Sequence, residues 1–229
     1  MPWFKKPSRA EQVHAAVLRQ ADLHMRSRDF KNASKFVQAF SVALVQFVPD
    51  HAASLVCLSA PADTVGSKSG AVLDRWRAVD DAHLRDLASL LAWLQSKSAF
   101  ADADELFPES QLDAAYRTLM TISFDLFPTS DRGMMLCKRY QECLDGDYRT
   151  LGGGLLSEGG TYFVSLEAPS VTTHLWMVNE ALGGPDLNMI SGDLDPASIF
   201  YLQITTVKLL TLYTDEYRKQ ARTYYETWT

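Results

Sequence analysis

The stretch 195–228, DPASIFYLQITTVKLLTLYTDEYRKQARTYYETW, decides how this chain folds, because no proline or glycine interrupts it after its second residue. Ile199, Leu202, Thr206, Leu210, Tyr213, Tyr217, Ala221, Tyr224 and Trp228 recur at steps of three or four, which lines them along one side of an α-helix. Asp195 can accept hydrogen bonds from the first free amides, and Pro196 has its φ already set for the first helical position. At about 1.5 Å per residue the helix is ~50 Å long, enough to cross a domain of this size. It is expected to be the packing axis of a mainly α protein.

The upstream sequence carries further helical signals. Ser8 and Glu11 have capping-box spacing, which predicts a helix over 9–27. Phe30, Ala33, Val37, Phe40, Leu44 and Phe47 predict a second over 29–47, with Pro49 beyond its end. His51 to Leu58 suits a helix or a short buried strand, and helix is preferred for its alanines. The Ser, Pro and Gly of 59–70 read as a surface loop. Shorter helices follow over 71–79 with Trp76, and after an Asp80 or Asp81 cap with Leu84, Leu87, Leu91 and Leu94 in register. Leu112, Ala115, Leu119, Ile122 and Leu126 mark another, stopped by Pro128, and Thr129 or Ser130 caps the next as far as Cys143. Val171 to Leu182 is helical, with Gly183 as its stop.

Between 145 and 170 the glycines break helix, and Thr161 to Glu167 is rich in β-formers, so at most a small hairpin is expected near 148–167. The fold expected is one multi-helix, orthogonal or bundle-like domain over 1–229, with a candidate sub-lobe boundary at the acidic segment 101–109. The stretch from Ala21 to Pro49 superficially resembles a tetratricopeptide unit in Phe40, Ala43 and its closing proline. The Trp, Gly and Tyr positions of that motif's first helix are missing and no second copy follows at a period near ~34 residues, so no repeat is assigned.

Composition bounds the function. With 47% apolar and 22% charged residues the chain is an ordinary globular protein rather than a disordered one. A net charge of −6 disfavours a nucleic-acid backbone as ligand, since phosphate neutralisation needs clustered Lys and Arg. Cys57, Cys137 and Cys143 form neither a CxxC nor a zinc knuckle and are expected as cytosolic thiols. No apolar segment of secretory length follows the opening MPWFKK, and the longest apolar stretch, Ile199 to Tyr213, is interrupted by Gln203 and Lys208. Neither a cleaved signal nor a membrane span is expected.

Motifs that carry chemistry are weak. Val65-Gly66-Ser67-Lys68-Ser69-Gly70 holds the ingredients of a phosphate loop in the wrong order. Gly152–Gly154 and Gly159–Gly160 lack dinucleotide-turn spacing. Asp102, Asp104, Glu105, Glu109 and Asp113 alternate as cation ligands would, but Phe107 and Asp113 stand where a calcium loop needs Gly and Glu. Asp145 with Asp147, and Asp193 with Asp195, read as caps and turns. His14, His24, His51, His83 and His174 form no HExxH or Cys/His set. No metal or cofactor is expected.

Two surface features remain. The carboxylates Asp102, Asp104, Glu105, Glu109 and Asp113 suit a basic partner. Tyr217, Tyr224 and Trp228, with Arg218, Lys219 and Arg222 among them, suit a surface for another protein or for self-association. The function expected is therefore a cytosolic, non-enzymatic protein-binding module, an adaptor or a toxin-neutralising immunity protein of bacterial type. The alternative is an enzyme whose site is assembled from dispersed residues on a helical scaffold.

Overall fold

The structure, a computed structural model, describes residues 6–22, 28–58, 67–99, 109–144, 168–184 and 196–228. Among them every regular element is a helix: α1 (Arg9–Gln20), α2 (Arg28–Asn32), α3 (Lys35–Val56), α4 (Ser67–Arg77), α5 (Asp81–Ser98), α6 (Glu109–Leu126), α7 (Asp131–Leu144), α8 (Ala168–Ala181) and α9 (Pro196–Trp228). The fold is the mainly α, multi-helix arrangement with a long C-terminal helix that the periodicity predicts. The expected hairpin near 148–167 and the boundary at 101–109, apart from Glu109, lie outside the described residues.

The helix starts follow local chemistry. Ser8 N–H donates to Glu11 Oε2 at 2.6 Å while Ser8 Oγ accepts from Glu11 N–H, a complete capping box. Asp80 Oδ1 accepts from His83 N–H at 2.9 Å, and Ser130 Oγ accepts from Gly133 N–H at 3.0 Å. At the end of α8, Gly184 N–H donates to Asn179 O and Gly183 N–H to Glu180 O, a Schellman closure. It needs a left-handed residue, and Gly183 supplies it with φ +62°.

Several boundaries differ from expectation. α1 ends at Gln20 because Ala21 turns extended and the next amide, Asp22 N–H, donates to Leu126 O at 2.8 Å, leaving the helix for the end of α6. The single helix expected over 29–47 is two. Ser34 caps α3 afresh, and Gln38 Nε2 donates to Phe30 O and Ala33 O, which ties α2 to the next helix. α3 then runs through Pro49 to Val56. An interior proline costs about 3 kcal/mol of helix stability. Phe36, Phe40, Leu44, Val48, Ala52, Leu55 and Val56 are all buried along α3, and at roughly 1.5–3 kcal/mol for each large apolar side chain their burial outweighs that cost. Finally, α4 begins at Ser67 rather than at residue 71.

α3 and α5 form the centre of the bundle. α1, α5, α6 and α9 pack on α3, while α6, α7 and α8 pack on α5. α9 lies mainly along α3, with Leu202, Thr206, Leu210, Tyr217 and Ala221 buried as the periodicity predicts. By length and composition α3, rather than the Ile199–Tyr213 stretch, is the described helix apolar enough to cross a membrane. In this fold 67% of its apolar window is buried against protein, the pattern of a core helix.

Candidate functional site

The first turn of α3 stands between two surface features at one end of the molecule. On one side it faces α6 across a groove of about 530 Å³, whose described lining comprises Asn32 of α2, the linking Ala33 and Ser34, Val37 of α3, and Gln111, Ala114, Ala115, Arg117, Thr118 and Thr121 from α6. The lining is small and polar because α6 turns alanines and threonines towards α2 and α3. Thr118 Oγ1 donates to Ala114 O at 2.7 Å and Thr121 Oγ1 to Arg117 O at 3.0 Å. Their hydroxyls are thus spent on their own helix. Arg117 pairs with Asp113 at 3.0 Å, both side chains about four-fifths exposed at 79% and 81%.

On the other side the first turn of α3 meets the last turns of α9. Lys35 Nζ donates to Trp228 O at 2.6 Å, and Tyr224 OH donates to Gln46 Oε1 at 2.9 Å. Phe36 and Tyr225 meet edge to face, with centroids 6.0 Å apart. Tyr224 and Trp228 stack on each other, centroids 6.0 Å apart and planes 12° from parallel, and Trp228 stays 40% exposed. Ser34 of the groove and Lys35 of the aromatic contact are consecutive residues, so groove and stack share one end of the fold.

The residues singled out from sequence divide accordingly. Asp113 lies beside the groove, Glu109 is the first residue of α6, and Tyr224 and Trp228 form the stack. Tyr217 is a core residue instead. It is fully buried, with Phe40 and Phe47 against its ring at 5.6 and 6.4 Å, and burial holds its phenol pKa well above the ordinary value. Its position on the inner stripe of α9 accounts for this. Asp102, Asp104 and Glu105 lie outside the described residues, as do Gly152–Gly160, the two DxD pairs and His24. Ser67 to Gly70 form the first turn of α4.

The remaining titratable groups read as structural. His51 is fully buried and stacks on Tyr213, centroids 4.7 Å apart. Its Nδ1 lies 3.2 Å from Gln95 Nε2, while Nε2 has no hydrogen-bond partner, and burial lowers its pKa to about 3. His174 meets Tyr140 edge to face, and burial lowers its pKa to about 4. Burial and the Asp86 charge push the Cys137 thiol up to about 12, far from a nucleophilic thiolate. Burial also raises Cys57, against the pull of Arg9 and Arg77. His14 lies 3.4 Å from Asp50, and His83 Nδ1 lies 2.7 Å from Asp80. Among the described residues no three His, Cys, Asp or Glu side chains gather as metal ligands.

Sequence reasoning missed the groove, since its two described walls are separated by about seventy residues of chain and none of its described lining residues is chemically conspicuous. No protein-family model, curated protein or solved structure matches this chain.

Proposed function

We propose that this protein acts by binding another protein at the end of the molecule where α2, the first turn of α3, α6 and the end of α9 come together. The observation that supports this most is the joint placement of an open groove of about 530 Å³ and a stacked Tyr224–Trp228 pair, linked through the consecutive residues Ser34 and Lys35. Alanines and threonines let a partner's backbone approach closely, and a half-exposed Trp is the kind of side chain that anchors interfaces. Among the described lining residues Arg117 is the one ionisable group, and it is held by Asp113. Such a lining favours recognition over bond-making.

The net charge of −6 favours a basic partner. An adaptor or a toxin-neutralising immunity protein working in the cytosol fits these features. In the immunity form Asp113 and its acidic neighbours in sequence would cover a basic cleft.

A photo-crosslinking amino acid placed at Thr118 or Trp228, with exposed Arg85 on α5 as control, tests the reading in the native host. One protein species is expected from the first two positions and not from the third. Once purified, that species should bind at least about tenfold more weakly to Thr118→Arg than to the unaltered protein. Equal capture from all three positions, or an affinity indifferent to Thr118→Arg and Trp228→Ala, would refute it.

A further inference from the structure

The outer face of α9, turned away from the stripe that packs on α3, carries Lys208, Leu212, Asp215, Lys219, Arg222 and Glu226 at alternating steps of four and three. That is the spacing of a helix-pairing seam. All but half-buried Arg222 are exposed, and Leu212, 55% exposed, is the most exposed large apolar side chain described. The seam positions are symmetric about the level of Tyr217, and the two symmetric pairs in which both residues are charged, Lys208 with Glu226 and Asp215 with Lys219, are opposite in sign. Lys208 and Glu226 each stand nine residues from it, Leu212 and Arg222 five, and Asp215 and Lys219 two.

We propose that this face binds the same face of a second copy of the chain, antiparallel, about a two-fold axis at the level of Tyr217. In that arrangement Lys208 meets Glu226 of the second copy, Asp215 meets its Lys219, and Leu212 lies against the methylene stem of its Arg222. The axis repeats each pair, as a self-complementary two-fold interface requires. A parallel, in-register pairing would set every charge of the seam against its own like, so the sequence selects the antiparallel partner.

The surface is shaped for side chains to enter. A shallow concavity of about 400 Å³ runs along this face, with Asp215, Lys219, Arg222 and Glu226 in its lining. Asp215 pairs with Arg218 at 3.9 Å, a long contact whose carboxylate is 62% exposed, so it reorganises at little cost. Residues 208–226 span only ~27 Å of helix, which makes a small interface, and exposed ion pairs contribute weakly. The dimer is therefore weak, reversible and sensitive to salt.

Sedimentation equilibrium of the full chain tests this with Asp215→Lys, Lys219→Glu and the two together. The unaltered protein is expected to dimerise reversibly and to lose affinity about tenfold or more between about 0.1 M and about 1 M salt, as the screening length shrinks from ~10 Å to ~3 Å. Each single reversal sets like charges across the axis and should weaken self-association at least about tenfold. An equal mixture of the two single variants restores both pairs, so it should form a heterodimer near the original affinity, as the doubly reversed chain should form a homodimer. Misfolding cannot imitate this, because mixing leaves each chain as it was. A protein that stays monomeric up to about 1 mM, a dimer indifferent to the single reversals, or a mixture that recovers nothing would each overturn the proposal.

Discussion

Asp86 lies in the second turn of α5 with only 3% of its surface exposed, yet it is fully engaged. Ser130 Oγ donates to its Oδ1 at 2.5 Å and Arg132 to its Oδ2 at 2.5 Å, while the other guanidinium nitrogen donates to Glu180 O near the end of α8. Ser89 Oγ lies 3.0 Å from both the Asp86 carbonyl oxygen and Thr129 Oγ1, so its single proton serves one or is shared between them. Gly133 fits because a Cβ there would come within 2.3 Å of Thr129 Oγ1 and 2.9 Å of the carboxylate. One carboxylate therefore joins α5, the cap of α7 and the C-terminus of α8. Removing it strands a serine hydroxyl and a guanidinium, although Arg132, 38% exposed, can recover some hydration. Asp86→Ala is expected to lower unfolding stability in urea by about 2–3 kcal/mol, and Asp86→Asn, which keeps the shape, by less. A loss within about 0.5 kcal/mol would mean the network is dispensable. The cap at Ser8 was legible in the sequence because cap and amide lie three residues apart, and Ser130 was one of two candidates for α7, whereas the cap at Ser34 lay hidden inside a continuous periodic run. This hub was not, since its partners stand 44 and 46 residues from Asp86.

Where α9 crosses α3 and α5 the packing is aromatic but not dry in chemistry. His51 stacks on Tyr213, whose phenol lies 2.5 Å from Ser54 Oγ. The side-chain oxygens of Gln95, Thr206 and Tyr217 are buried without partners, as is His51 Nε2. A histidine held neutral in the folded protein gives the interior an acid-sensitive point, and the sign follows from linkage. The folded pKa of His51, about 3, lies below the ~6.5 of an unfolded histidine, so below that pH the unfolded chain takes up a proton the native state refuses. Stability is fully present above pH ~7 and falls as pH drops, by ~1 kcal/mol per unit once below ~6 for His51 alone, with His174 adding to it down to about 4. Chemical denaturation at stepped pH should show that slope. His51→Leu combined with Gln95→Met, which leaves neither polar partner stranded, should remove the His51 share of it and leave that of His174, at little cost near pH 7. An unchanged slope would place the acid sensitivity elsewhere. Periodicity predicted the buried stripe of α9 but not its occupants on α3, because Pro49 reads as a terminator. The proline lies inside α3, and His51 beyond it became a core residue. Local propensity yielded there to the burial of α3 against four neighbours.

At the scale of the whole molecule α9 has two surfaces with different proposed uses. Successive residues of a helix advance by about 100°, so Tyr224, two residues from both Arg222 and Glu226, projects from nearly the opposite side of the rod. The Tyr224–Trp228 stack therefore borders the first turn of α3, while the charged seam faces outward. Both surfaces are built on a helix anchored along its length by buried Leu202, Thr206, Leu210, Tyr217 and Ala221, so neither needs the other to be formed. Lys219 is exposed and Thr118 is a half-buried residue that lines the open groove, so neither lies in the core, and substitutions away from the core change stability by only about 0.5 kcal/mol. Thr118→Arg is then expected to weaken the captured partner and leave self-association as it was, whereas Lys219→Glu should do the reverse, with both chains keeping the unfolding midpoint of the parent. Sedimentation and partner binding measured on the same two preparations check this. If either substitution abolished both associations, the two faces would be one interface, and the partner would be recognised by the dimer rather than by a single copy of the chain.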